Sequence, residues 1–459
     1  MKKISILVSI LALLSLNACI KELEIDPFNT IDASQALGSA SDIESAIVGA
    51  YGILQGGQLY GTNLNLCPEL LGSANYCQWR GTFQSYRQIM NKNMVAENAE
   101  ATRTWIAAYR AINVANNVIA NLSKVEDADQ RSAFEAEARF IRGIMHFELV
   151  RLYAQPWKAD SPNNGPGVPI QTSPVSDEAG ASVKATRNTI AEVYAQVIED
   201  LRAAEAGLPA QRSGNQRHRA TAFTAKAFLT RVFLQQSNFA GARDLADEVI
   251  NSGNYALNAS AAATFTNKFT NETIFELLYN DQNNVGTAND GLTTFYASLP
   301  GIGRSDVRVL APFVSQYEPN DERFKELIYI GTGRRPGSNQ CGKWKDFGQN
   351  VPVIRLAEMY LTRAECNERL GTAVGATPLD DVNRVRARAR ATPLGTVTLD
   401  DILKERGLEL CFEGLRIHDL KRTQRSTGNF AFDAPELVFP IPEREIRANG
   451  GTLEQNPGY

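Results

Sequence analysis

The chain has little of what most metalloenzymes, nucleotide-binding enzymes and nucleic-acid binders need. Its 459 residues include only three histidines. His146, His218 and His418 lie far apart and lack the i, i+4 spacing with which one helix offers two imidazoles to zinc. Asp281, Asn283 and Gly286 have part of a calcium-loop spacing, but Val285 and Leu292 fall where ligands belong. No Gly-x-Ser-x-Gly elbow and no phosphate-cradling glycine run occurs, so neither a metal nor a cofactor is expected. The 47 lysines and arginines do not outnumber the 51 acidic residues, and the net charge is -4. Without a basic footprint for phosphate backbones, nucleic acid is excluded as a partner class. The amino-terminal apolar run, Ile4 to Leu16, is shorter than the roughly 20 residues a membrane-spanning helix needs.

That run has the form of a bacterial export signal, with Lys2 and Lys3 ahead of it and Leu16-Asn17-Ala18 behind it. Ending at Cys19, the site resembles the bacterial lipobox. The resemblance implies that residues 1–18 are a lipoprotein signal peptide and that Cys19 carries the lipid anchor, each buried methylene contributing about 0.8 kcal/mol. A plain signal peptide with an incidental cysteine is the alternative. Ile20-Lys21-Glu22-Leu23-Glu24 is charged directly behind the cysteine and resembles the signal that sends some outer-membrane lipoproteins to the cell surface. Residues 19–40 then form a tether.

The remaining composition, 43% hydrophobic and 21% charged, is that of a folded globular protein. A single core stops growing beyond about 250 to 300 residues, so two lobes or a stacked solenoid are expected. Of the six cysteines, five remain after the anchor. At least one thiol therefore stays unpaired. Cys67 and Cys77 are the one close pair, and a disulfide between them would close a short loop worth roughly 2 to 3 kcal/mol. Cys366 and Cys411 fall in apolar helical stretches and read as small buried hydrophobes.

Helical patterning dominates. Ser41-x-x-Glu44 has capping-box spacing, and Ile43, Ile47, Tyr51 and Leu54 make a stripe, predicting a helix to Gln55. Further helices are predicted through Trp105 to Ile119, Ser132 to Tyr153, and from Thr189-x-x-Glu192 to Gly207. Ala222–Gln236 and Ala240–Ile250 have the spacing of a tetratricopeptide hairpin, and Val353–Leu370 with Leu379–Arg390 forms a second pair. A single hairpin cannot bury its own apolar face, so several must stack. Thr273 to Tyr279 is β-like, residues 155–186 form a long loop, and Leu437 to Tyr459 reads as an extended strap. The predicted fold is mainly α: tetratricopeptide-like hairpins forming a scaffold, with long irregular loops and minor β.

Several ordered motifs resemble one family, the SusD/RagB nutrient-binding lipoproteins of starch-utilisation-type outer-membrane systems. They include Glu137-Ala138-Arg139-Phe140-Ile141-Arg142-Gly143 and Arg355-x-Ala357-Glu358-x-x-Leu361. Glu405-Arg406-Gly407-x-Glu409-Leu410-x-Phe412-Glu413-Gly414-x-Arg416-x-x-Asp419 and the terminal Gln455-Asn456-Pro457-Gly458-Tyr459 are the most specific. The resemblance covers nearly the whole chain, with residues 41–270 as the amino-terminal SusD-like region and 271–459 as the carboxyl-terminal RagB/SusD region. It implies a lipid-anchored, surface-exposed outer-membrane protein that acts as a lid on a TonB-dependent, SusC-like transporter. There it would deliver oligosaccharides or, in some members, peptides.

Two residue sets bear on chemistry. Glu405, Glu409 and Glu413 repeat at four-residue spacing, which as catalytic carboxylates would suggest a secreted glycosidase. Like charges on one helical face repel, so a stack neutralised by arginines such as Arg406 or Arg416 is the structural reading. Sugar rings have apolar faces and polar edges, so a binder needs an aromatic platform with amides and guanidinium at its rim. Tyr76, Trp79, Asn75 and Arg80 have that makeup, and Trp157, Tyr296 and Trp344 are expected to complete an arc. These residues point to a non-catalytic glycan binder.

Overall fold

The structure, a computed structural model, describes residues 37–175, 180 and 182–459. The signal peptide and Cys19 lie outside the described residues. The first helix, α1 (Ala40–Gln55), buries Ile43, Ile47, Tyr51 and Leu54 as the stripe predicts. Its cap is Ser39 rather than Ser41: the Asp42 N–H donates to Ser39 Oγ at 3.3 Å. Helix α2 (Asn63–Leu71) was not legible as a helix, because every one of its residues is buried. A helix covered on all sides has no polar face to set a period. α3 (Gln84–Asn91) follows.

The scaffold is a continuous stack. α4 (Ala99–Ala120) packs on α5 (Ala128–Tyr153), α5 on α6 (Ile190–Gly207), and α6 on α7 (Ala222–Gln235). α7 packs on α8 (Phe239–Asn251), α8 on α9 (Leu356–Leu370), and α9 on both α10 (Pro378–Arg388) and α11 (Leu399–Glu409). The expected capping box at Thr189 and Glu192 is formed on both sides, satisfying the first free N–H groups of α6. No helix of the described residues is long and apolar enough to cross a membrane.

Strands appear only as two-stranded antiparallel ribbons. β1 (Cys77–Trp79) pairs with β3 (Val307–Val309), β4 (Ile328–Ile330) with β5 (Asn339–Cys341), and β2 (Thr273–Leu277) with β6 (Val351–Arg355). β6 shortens the helix predicted from Val353, since its β-branched run prefers a pleated partner and α9 starts only at Leu356. The carboxyl end is a strap, as expected, although Glu443–Ala448 coils into a short helix. Asn456 Nδ2 donates to Tyr153 O at 2.8 Å and Phe439 O at 2.7 Å, fastening the strap to the end of α5.

The Cys67–Cys77 disulfide is not formed. Cys67, Cys77, Cys341, Cys366 and Cys411 are all free and buried. Cys67 sits inside α2, while Cys77 lies on β1 with its thiol directed at Glu69 O, 3.7 Å away. Burial raises the Cys67, Cys77, Cys341, Cys366 and Cys411 thiols, so thiolate is scarce.

A buried ionic network joins the carboxyl-terminal helices to β2 and β6. Arg355 Nη1 donates to Glu272 at 2.8 Å and to Glu409 at 2.6 Å, and its Nε to Glu413 at 2.8 Å. Arg388 reaches Glu272 at 2.7 Å and also bonds Glu409. Arg323 spans Asp321, Glu405 and Glu409, Arg386 meets Glu405 at 2.8 Å, and Lys343 meets Glu413 at 2.6 Å. The three glutamates are thus neutralised, but by Arg323, Arg355, Arg386, Arg388 and Lys343 rather than by the expected Arg406 and Arg416. Burial opposes charge on Glu409, yet Arg388, Arg355 and Arg323 outweigh it and hold the carboxyl well below its ordinary range.

A second buried carboxylate, Glu69 of α2, receives the N–H groups of Phe412 at 3.2 Å, Gly414 at 2.9 Å and Leu415 at 3.1 Å, together with the Tyr76 hydroxyl. It braces a turn in which Phe412 has φ 62°, a left-handed conformation costly for a bulky side chain.

Three outcomes follow for solution work. In the native protein without reductant, none of the five thiols should react with Ellman's reagent, and unfolding should release all five; two fewer after unfolding would restore the disulfide. Arg355→Ala should cost about 3 to 5 kcal/mol in denaturant unfolding, because it leaves buried carboxylates short of a partner. A carboxyl whose folded value is depressed contributes stability above its unfolded value, about 4.3, that is lost as pH falls through the folded one. Denaturant midpoints should therefore hold from pH 7 to about 5 and fall steeply below about 4; a flat profile through that window would show that Glu409 and its neighbours are not charged in the fold.

Candidate functional site

The β1–β3 ribbon organises one loop face. Its register sets Cys77 opposite Val309, Gln78 opposite Arg308 and Trp79 opposite Val307. Alternation turns the first and third pairs into the core and leaves Gln78 and Arg308 outward. The inward set includes residues expected to contact ligand. Trp79 is 3% exposed, packed 4.7 Å from the Tyr86 ring centre and 5.2 Å from that of Phe295, with its indole N–H donating to Phe83 O at 3.2 Å. Tyr76 stacks on Phe412 at 4.6 Å. Tyr296 packs against the same Phe412 ring, and Trp344 donates its indole N–H to Phe412 O at 3.1 Å.

Tyr76, Trp79, Tyr296 and Trp344 are therefore core residues, and none presents a ring face to a ligand. Composition had suggested an aromatic arc. Instead, Tyr76, Tyr296 and Trp344 meet around the braced Phe412 turn. Trp157 is half-buried on another part of the molecule, against Tyr194 of α6. Asn75 is exposed at a left-handed turn position, and Arg80 is half-buried beside the ribbon.

The exposed aromatic of this face is Phe83, two residues beyond Gly81. A side chain at Gly81 would overlap the Trp79 indole, so the chain turns tightly there and lifts Thr82 and Phe83 outward. Phe83 leans edge-on against Tyr86 and Phe295, which fixes its ring. The Arg304 guanidinium lies 5.2 Å from its centre, donating to Thr82 Oγ1 at 3.1 Å and to Asn289 Oδ1 at 3.2 Å. The adjoining Asp290 carboxylate, held by Thr62 at 3.0 Å and Arg103 at 2.8 Å, anchors the loop that carries Asn289. Arg80 donates to Ser305 Oγ at 2.9 Å and Ser338 Oγ at 3.0 Å, joining the ribbon to the β4–β5 hairpin.

The face therefore offers an immobilised aromatic platform with hydroxyl, amide and guanidinium groups at its rim. Of the expected set it keeps Arg80. It adds Phe83, Thr82, Asn289 and Arg304, of which only Phe83 carried a signal, as the last aromatic of the aromatic- and amide-rich stretch from Gln58 to Phe83, whose sequence shows no helical period. A separate concavity beside α11, lined by Leu403, Leu410 and Leu415, has charged groups engaged with each other: Arg406 donates to Asp419 at 2.9 Å. It has no exposed aromatic of this kind.

Comparison with known proteins places this face in context. Residues 26–234 match a family model described as starch-binding, associating with the outer membrane, and residues 337–434 match the SusD family model. A SusD-like protein of Formosa agariphila is 27% identical, with both chains covered over their full length. The starch-binding protein SusD of Bacteroides thetaiotaomicron is 35% identical over 125 residues, covering 24% of this chain and 22% of its own. A crystal structure of a SusD superfamily protein from the same organism superposes with a TM-score of 0.80 at 25% identity, covering 91% of this chain and 100% of its own. On the matched models, the full-length relative and the shared helical fold, the chain belongs to the SusD/RagB family.

Proposed function

We propose that the protein is a non-catalytic oligosaccharide-binding lipoprotein, anchored through Cys19 to the outside of the outer membrane, that hands its ligand to a TonB-dependent transporter of the SusC type. Membership of a carbohydrate-binding, outer-membrane-associated family supports the ligand class and the location. The observation that carries the reading is Phe83. An aromatic ring left 38% exposed, braced from behind by Tyr86 and Phe295 and rimmed by Thr82, Asn289 and Arg304, is a platform for the apolar face of a sugar ring. Little ordering cost is left for binding, because the ring and its rim are already held.

The glutamates that a hydrolytic mechanism would use are committed elsewhere. Glu405 and Glu409 are buried and share Arg323, and Glu405 also meets Arg386.

Phe83→Ala is expected to weaken oligosaccharide binding about tenfold or more by calorimetry while leaving the unfolding midpoint nearly unchanged. Trp79→Ala should do the reverse in kind, lowering stability by about 3 to 5 kcal/mol through loss of core packing. Full affinity in folded Phe83→Ala would remove this face from the function. Cys19→Ala should shift the protein from the membrane to the soluble fraction, and the tagged mature form should bring down a large β-barrel protein from detergent extracts.

A further inference from the structure

The same face carries far more positive than negative charge. Arg80, Arg304, Arg308, Arg334 and Arg335 converge on it from three separate segments; Asp306 lies among them, and the adjoining Asp290 is taken up by Thr62 and Arg103. Arg335 Nη1 donates to Asp306 Oδ1 at 3.1 Å, and Arg304 Nε forms an ion pair with Asp306 Oδ2 at 3.0 Å. Burial pushes the Asp306 carboxyl above its ordinary range even though Arg304, Arg335 and Arg334 oppose it. Arg308, turned outward by the ribbon register, makes no hydrogen bond or ion pair among the described residues, and its Nε is buried without a partner. Arg80 Nε is in the same condition. Burial first, then repulsion from Arg308 and Arg335, lowers the proton affinity of Arg80. Arg334 is exposed next to them.

This arrangement is not what folding alone favours. Arg355, by contrast, meets Glu272, Glu409 and Glu413. Here like charges are gathered at a surface of a protein whose net charge is negative. The backbone is also held against preference: Ser305 (φ 54°) and Arg335 (φ 58°), joined by an Arg335 Nη1 bond to Ser305 O at 3.0 Å, are both left-handed without being glycine. Such conformations cost about 1 to 3 kcal/mol each and cluster at ligand clamps. Repulsion of this kind is offset by an incoming anion.

Resting on the carbohydrate reading above, we infer that the ligand is an anionic oligosaccharide, its sugar rings bearing carboxylate or sulfate groups. Arg308, Arg334 and Arg335 meet the charged substituent while Phe83 lies against a ring. Guanidinium is suited to both anions, since its planar fork donates two parallel hydrogen bonds to paired oxygens. Neutral glucans would leave Arg308 and Arg80 Nε without partners and are expected to bind weakly.

The test is calorimetry of the mature protein against three probes matched in length: a galacturonate oligomer, a sulfated galactan oligomer and a neutral malto-oligomer. One or both anionic probes should bind at least about tenfold more tightly than the neutral one. Their affinity should fall as ionic strength rises from about 0.01 to about 1 M, which shortens the screening length from roughly 30 to roughly 3 Å. Which anionic probe wins separates carboxylate from sulfate. Arg308→Gln, at a position with no partner to lose, should cost about tenfold in affinity without moving the unfolding midpoint, and Arg308→Lys should recover part of it. Tight binding of the malto-oligomer, unchanged in Arg308→Gln, would overturn this inference and leave the carbohydrate reading standing. No binding of any probe would take down both. A third result, binding to phosphatidylglycerol vesicles that depends on Arg334 and Arg335 while oligosaccharide binding does not, would reassign the arginines to a membrane surface and overturn the inference as well.

Discussion

Arg355 is the residue that fastens the carboxyl-terminal helices of the stack to the β2–β6 ribbon. It sits at the junction of β6 and α9, and its guanidinium reaches Glu272 next to β2, Glu409 at the end of α11 and Glu413 in the turn beyond. Burying one charge of this kind would be prohibitive, and burying a pair is often no better than burying hydrocarbon. A network in which each carboxylate meets two or more cations changes the balance, since the same desolvation is offset by several contacts. It also demands one arrangement. A slip of α11 by a single turn would strand Glu409, so the network selects the register at which α9, α10 and α11 pack. The Glu69 brace works on the same principle at the Phe412 turn, where a carboxylate on α2 holds a backbone conformation that hydrophobic packing alone would not maintain.

The helical scaffold was legible because its determinants are local or periodic. Thr189 and Glu192 form the capping box their spacing announces, and the α7–α8 hairpin lies within a residue or two of its predicted bounds. α2 escaped because total burial erases the alternation of faces on which a helical reading depends. The β6–α9 boundary escaped for another reason, that its strand character comes from pairing with β2, more than seventy residues earlier in the chain. Partners of the repeated glutamates were misassigned in the same way. Sequence proximity favoured Arg406 and Arg416, whereas Arg323 and Arg355, brought in by tertiary packing, do the neutralising.

The candidate site was legible only in part. The aromatic-rich stretch from Gln58 to Phe83, read as lacking a helical period, holds α2 as well as β1 and the turn that carries Phe83. Within that stretch, sequence does not reveal which ring turns inward, because a two-residue alternation decides it and the alternation starts only where β1 meets β3. Trp79, the larger and more tempting ring, took the core side, and Phe83, beyond the turn at Gly81, took solvent. The arginines of the hairpin between β4 and β5 became neighbours of Arg80 only through folding, over a separation of some 250 residues.

The loop face draws on β1 and the turn after it, on the segment from Asn289 to Arg308, and on the β4–β5 hairpin, while the scaffold beneath runs through α8 into α9 and is closed by the strap at Asn456. Because these pieces are so widely spaced along the polypeptide, no short fragment contains all of them, and the face exists only once segments from Cys77 to Cys341 have folded onto one scaffold.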